Sequence, residues 1–321
     1  MPGWIQFILI TLLAPLLVAR VLGLVIRRFK FGGSIIAFLG KWWVVFFVIG
    51  LIAGIIGISF VDRLQDAVYV FAMKMPISTL FIIPIMMGLG MIVPYVRHRF
   101  RLPSREDYML KSDYILPFKG KWVVVNGGLT KKLSHSWGIV PQRYAYDFII
   151  MDDEGKSSSG NKRDINSYYC YNKDIIAVAD GEVVRVYDKF KDTFVDGINA
   201  YCDSYDIAGN YIVIKHNDSE YSFTAHLVPG SIKVKKGDIV KQGDVITKCG
   251  NSGNSSEPHI HFQLQSGESF YLSAGLPIAF TNINAQAKEN YSVLDKRPHE
   301  DNLQVEGNKS YIARGLEVEN A

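Results

Sequence analysis

Two patterns of apolar and polar positions divide the chain near residue 100. Before it, apolar positions run on without alternation. Trp42–Val61 (WWVVFFVIGLIAGIIGISFV) and Ile77–Val96 (ISTLFIIPIMMGLGMIVPYV) carry no charge. Each matches the roughly 20 residues needed to span a bilayer core, and proline is tolerated in such helices. Trp4–Ile26 is a third run, interrupted by Arg20. It has neither a basic start nor a small-residue cleavage site, so it reads as a span rather than a removed signal. The pattern predicts a membrane-anchoring region over 1–100 with three transmembrane helices. From about residue 115 short β-like runs alternate with turn signals. They are Lys121–Asn126, Tyr144–Ile150, Ile175–Val186, Tyr211–His216, Glu220–His226, Asp244–Lys248 and Pro258–Gln265. Asp180-Gly181 inside the third is a hairpin signal. No useful helical period lies between them. The prediction is an all-β, mainly antiparallel sandwich or open barrel over 120–284. Residues 101–119 read as a linker and 285–321 as a poorly ordered polar tail. The polar stretch 152–174 reads as a long loop that could flank a groove.

Composition changes this picture little. The apolar share is 48%, and most of its continuous runs precede residue 97. A formal charge of +4 is too mild for a nucleic-acid surface, so no nucleic-acid partner is expected. Cys170, Cys202 and Cys249 lack metal-ligand spacing and read better as free thiols than as one disulfide and one thiol. Basic clusters follow the first span (Arg27, Arg28, Lys30, Lys41) and the third (Arg97, Arg99, Arg101, Arg105). Three spans put both clusters on one side, which the positive-inside rule makes the cytoplasm. Oligomeric state is not legible.

The chemistry concentrates at His259-Ile260-His261. Residues two apart on a strand share a face, so the two imidazoles converge. Imidazole is both a zinc ligand and the usual general base near neutral pH. Upstream lie Tyr146-Asp147-Phe148, Ala179-Asp180-Gly181, Ala225-His226-Leu227 and a repeated turn, Lys236-Gly237-Asp238 then Gln242-Gly243-Asp244. The repeat also occurs in lipoyl and biotinyl carriers. The carrier-like Ala72-Met73-Lys74-Met75 sits between apolar runs, however, and Lys74 reads as an interfacial lysine.

Taken in order, these motifs resemble a lysostaphin-type (LytM-like) zinc metalloendopeptidase over residues 120–283. The resemblance implies an all-β peptidase domain, a zinc cofactor, and cell-wall peptidoglycan peptides as substrate. It implies Asp147 and His261 as zinc ligands, with His226 and His259 as the catalytic histidines that handle water and transition state. A catalytic zinc takes three protein ligands and keeps one position for water. The family places its first ligand, a histidine, four residues before the aspartate. Here that position is Arg143, which cannot bind a metal. A subgroup with an Asn-Gly-Gly stretch (Asn126-Gly127-Gly128) and an upstream histidine points instead to His135 as third ligand. His216, His98 and His299 read as structural or peripheral, and Tyr144 and Tyr146 as core. Two other readings remain open: a metal-free scaffold or regulator of other hydrolases, and an endopeptidase acting on a peptide such as a bacteriocin precursor. A wall substrate implies a multi-pass bacterial membrane protein with the domain outside the cytoplasm, against the charge count.

Overall fold

The computed structural model describes residues 92–196, 207–270, 272–300 and 303–321. The chain divides into two units, Met1–Arg97 and His98–Ala321. The three apolar runs lie almost wholly outside the described residues. Among the described residues no helix is long and apolar enough to cross a membrane.

The second unit is mainly antiparallel β. Its strands are β1 (Trp122–Asn126), β2 (Tyr146–Ile149), β3 (Asp174–Ile176), β4 (Gly181–Tyr187), β5 (Tyr211–Asn217), β6 (Glu220–Ala225), β7 (Ile239–Val240), β8 (Val245–Lys248), β9 (Ile260–Gln265), β10 (Ile283–Ala287), β11 (Gln304–Glu306), β12 (Lys309–Tyr311) and β13 (Leu316–Asn320). One helical turn, α1, spans Tyr291–Leu294. Nine strands form a sheet in the order β10-β13-β1-β2-β9-β6-β5-β4-β7, while β3–β8 and β11–β12 are separate pairs. Alternation assigns the faces of the large sheet. Ile260, Phe262 and Leu264 of β9, Phe148 of β2, and Ile212 and Ile214 of β5 enter the main core. The intervening Tyr211, Val213, Phe223 and Ala225 form a smaller cluster. The polar partners of β9, His261, Gln263 and Gln265, alternate with the core residues and are themselves buried.

Three expectations are corrected. Residues 114–118 are not a linker: Tyr114, Leu116 and Phe118 are wholly buried, and Phe118 stacks on Trp122 with ring centroids 4.6 Å apart. The buried carboxylate of Glu220 ties this segment to β6, accepting from Tyr114 Oη (2.8 Å), Tyr108 Oη (3.2 Å) and Lys111 N (2.7 Å). Nor is 285–321 a loose tail. β13 lies between β10 and β1, pairing Val318 with both Ala285 and Trp122. Its apolar residues are only two, Leu316 and Val318, but strand alternation aims both into the core, and so short a signal is hidden by the charged neighbours. Asp180-Gly181 is a corner between two sheets and not a hairpin, since β3 pairs with β8 and β4 pairs with β5 and β7. Gly181 is needed there for close approach: a Cβ would stand 2.6 Å from the Lys215 carbonyl oxygen.

The repeated Lys-Gly-Asp and Gln-Gly-Asp turns dock identically. Gly237 N donates to Val183 O and Val183 N to Asp238 O, while Gly243 N donates to Ala177 O and Ala177 N to Asp244 O. Both glycines have positive φ, 92° and 89°, which a side chain would strain. Cys170 and Cys249 are buried free thiols, and Cys202 lies outside the described residues.

Candidate active site

The register of the sheet builds the site. Across neighbouring strands Asn126 stands opposite Asp147, Asp147 opposite His261, and His261 opposite Ala225, which precedes His226. A single row therefore collects groups from β1, β2, β9 and the end of β6. They line a cavity of about 760 Å³ together with His135, His259, Lys162 of the polar 152–174 loop, and Asp295 and Arg297 beyond α1.

His261 and Asp147 meet directly, Nδ1 to Oδ1, at 2.9 Å, although 114 residues separate them. His259 Nε2 lies 3.9 Å from the same oxygen. The ring centroid of His226 is 4.6 Å from that of His259 and 5.9 Å from that of His261. His135 lines the cavity and is exposed. Its backbone N–H donates to Asn126 Oδ1 (2.9 Å), so the Asn-Gly-Gly stretch presents it. Arg143 does not line the cavity. Its Nε donates to the Trp137 carbonyl and its guanidinium lies 5.4 Å from that ring.

Carbonyl oxygens only accept hydrogen bonds, which assigns two tautomers. His226 Nδ1 donates to Ser252 O (2.7 Å) and His259 Nδ1 donates to Glu257 O (2.8 Å). In each neutral ring Nε2 is thereby left as the proton acceptor. Burial, with His259 and His261 close by, holds the pKa of His226 well below its ordinary value. Burial also opposes the charge on His261, but the hydrogen bond and charge of Asp147 outweigh it and raise the pKa. Asp147 is the mirror case: burial would raise its pKa, and the bond and charge of His261 lower it strongly. These two form a buried hydrogen-bonded pair.

The donor set fits zinc in kind, being one carboxylate and neutral-capable imidazoles. Asn126 Nδ2 is a buried donor with no partner, so the pocket is not closed around its own polar groups. Among the described residues no three His, Cys, Asp or Glu side chains stand at metal-holding distances.

All five sequence-predicted site residues thus reach one cavity, while His216 does not; its ring bonds Asp180 O and Ser222 Oγ. Tyr144 and Tyr146 are core. Sequence reasoning missed Gln263 and Gln265, although His259, His261, Gln263 and Gln265 share one period of two. It also missed Arg297 and Arg314, which no local pattern marks.

The fold and the site together define a mainly antiparallel β domain with a cavity lined by histidines and an aspartate. Residues 163–271 match the model of peptidase family M23. The match includes His226, His259 and His261; Asp147 and His135 precede it. The peptidoglycan DD-endopeptidase ShyB of Vibrio cholerae is 43% identical over 74 residues, 22% of this chain and 17% of that protein. The murein hydrolase activator NlpD of Salmonella typhimurium is 31% identical over 123 residues, 38% of this chain and 28% of that protein. The chain thus spans well under a third of these relatives' length. Among solved structures, a zinc-containing peptidase from Vibrio cholerae superposes with a TM-score of 0.32 at 21% identity, covering 51% of this chain and 39% of that one. Lysostaphin from Staphylococcus simulans gives a TM-score of 0.30 at 20% identity over 48% and 47% of the two chains.

Proposed function

We propose that the chain is a zinc-dependent endopeptidase that hydrolyses peptide bonds of bacterial cell-wall peptidoglycan. The observation that carries this reading is the convergence of Asp147, His261, His259, His226 and His135 on one cavity. Asp147, His261 and His135 are the residues that would hold zinc. A bound zinc ion supplies a Lewis acid for the scissile carbonyl and lowers the pKa of water toward neutrality. Hydrolysis adds hydroxyl to the carbonyl carbon and a proton to the departing amine. His259 Nε2, beside the Asp147–His261 pair, takes the proton from water and returns it to the amine. His226, kept neutral by its surroundings with Nε2 as an acceptor, receives a hydrogen bond from the water or the departing amine.

The full chain is expected to bind about one zinc. Asp147→Ala and His261→Ala should abolish that binding, and His135→Ala should weaken it. His259→Ala should retain zinc and lose at least about 100-fold in hydrolysis of purified peptidoglycan, in line with the usual worth of a general base. Metal analysis and release of new amino groups check all four. Unchanged zinc content in His135→Ala would remove it from the ligand set.

A second reading rests on Arg143, which stands where the family has a ligand, and on the similarity to the activator NlpD. A wild-type chain that binds no zinc yet still binds peptidoglycan would favour a regulator over an enzyme. We also propose that residues 1–100 anchor the chain in the membrane, with the peptidase domain outside the cytoplasm, where the wall is. Protease added to intact cells should then cleave the domain; full protection would overturn this placement.

A further inference from the structure

Strand β9 buries a polar ladder behind the site. Gln263 and Gln265 are wholly buried in a strand whose every residue is buried. Two amides in such a place are costly unless their hydrogen bonds are made. These are made in series. His261 Nε2 lies 3.0 Å from Gln263 Oε1, Gln263 Nε2 is 2.7 Å from Gln265 Oε1, and Gln265 Nε2 is 2.8 Å from Gly267 O and 3.2 Å from Glu268 O.

The series has only one satisfactory direction. Its far end is two main-chain carbonyls, which accept and never donate. The atom of Gln265 that faces them must be its nitrogen, so its oxygen faces Gln263. That oxygen requires the Gln263 nitrogen, which turns the Gln263 oxygen toward His261. Flipping either amide would set oxygen against oxygen in a buried position. The ring nitrogen of His261 that meets Gln263 must therefore carry a proton.

We propose that Gln263 and Gln265 are positioning residues that lock His261 with Nε2 protonated, so that Nδ1, the nitrogen facing Asp147, is the one offered to a metal. This rests on the zinc reading above. The two backbone carbonyls act through two side chains on a nitrogen of the site, and the strand period of two makes the connection possible. A histidine ligand needs its second nitrogen held by a partner, and losing such a partner usually lowers metal affinity 10–100-fold.

The test uses the full chain with ¹⁵N-labelled histidine. In metal-free protein at neutral pH, long-range proton–nitrogen spectra should show His261 Nε2 bearing a proton shielded from exchange. An unprotonated Nε2 there overturns the proposal whatever the metal result. Zinc affinity, measured by chelator competition, should fall at least tenfold in Gln263→Met. Gln265→Met, which frees Gln263 to flip, should fall by a smaller factor and serves if Gln263→Met does not fold. Wild-type affinity in Gln263→Met, or in Gln265→Met in its place, overturns the ladder's role. Absence of zinc from the wild-type chain would instead overturn the reading of the site, with the Nε2 proton still reporting on the ladder.

Discussion

His226 sits in the left-handed region at φ 63°, unusual for a residue with a side chain. The surroundings hold it there. Its N–H donates to Ala208 O, its carbonyl accepts from Gly250 N, and its ring donates to Ser252 O. Gly209 and Gly253 make the close approach possible. A Cβ on Gly209 would stand 2.3 Å from the Ser252 carbonyl carbon, and one on Gly253 2.4 Å from Gly209 N. Gly209 also has φ 65°, so alanine meets strain as well as a clash. Gly209→Ala is expected to destabilise by more than about 1 kcal/mol and to pull Ser252 from His226. Peptidoglycan hydrolysis should fall while zinc content stays, because His226 is not among the proposed ligands. A thermal melt, a peptidoglycan hydrolysis assay and metal analysis check the three outcomes.

Among the elements, the corner between β3 and β4 joins sheet geometry to pH. His216, at the end of β5, donates from Nδ1 to Asp180 O at the inter-sheet corner and bonds Ser222 Oγ through Nε2. Burial lowers its pKa from the ordinary histidine value, outweighing its polar contacts. The unfolded chain therefore takes up a proton first as pH falls. Stability from this group is complete above about 6.5 and is lost as pH drops from there through the folded-state pKa. His226 acts in the same direction. In His216→Gln the loss of melting temperature between pH 7.5 and pH 5 should be smaller than in wild type, though not zero. An equal loss would show that His216 contributes nothing to the acid limb.

For the whole molecule, the C-terminal residues complete both the sheet and the site. β13 supplies a partner to β1 and β10. Just before it, buried Arg314 donates from its backbone N to Gly127 O and from Nη2 to Lys132 O, bracing the loop that ends at His135. Deleting 303–321 exposes two strand edges and removes that brace. The expected result is a sharp loss of soluble full-domain protein, and weaker zinc binding in whatever remains folded; soluble yield and chelator competition measure the two.

How much of this was legible follows from range. The short runs around Trp122, Asp147, Tyr211 and Ile260 were readable because strand alternation is a local property, and so were the two glycine turns, whose φ only glycine adopts easily. The histidines and Asp147 were readable as residue types suited to one chemistry. Their meeting was not, because it depends on pairing β2 with β9 and β9 with β6, a register set by non-local hydrogen bonds and core packing. The docking of 114–118 and the insertion of β13 are hidden for the same reason: each is a short, locally polar segment whose few apolar residues are buried only once the rest of the sheet exists. The sequence by itself determined the strand periods, the turn chemistry and the donor types. Only the tertiary structure decided which donors share a cavity, which nitrogen of each ring faces it, and that the end of the chain supports its front wall, since those depend on contacts between segments more than a hundred residues apart.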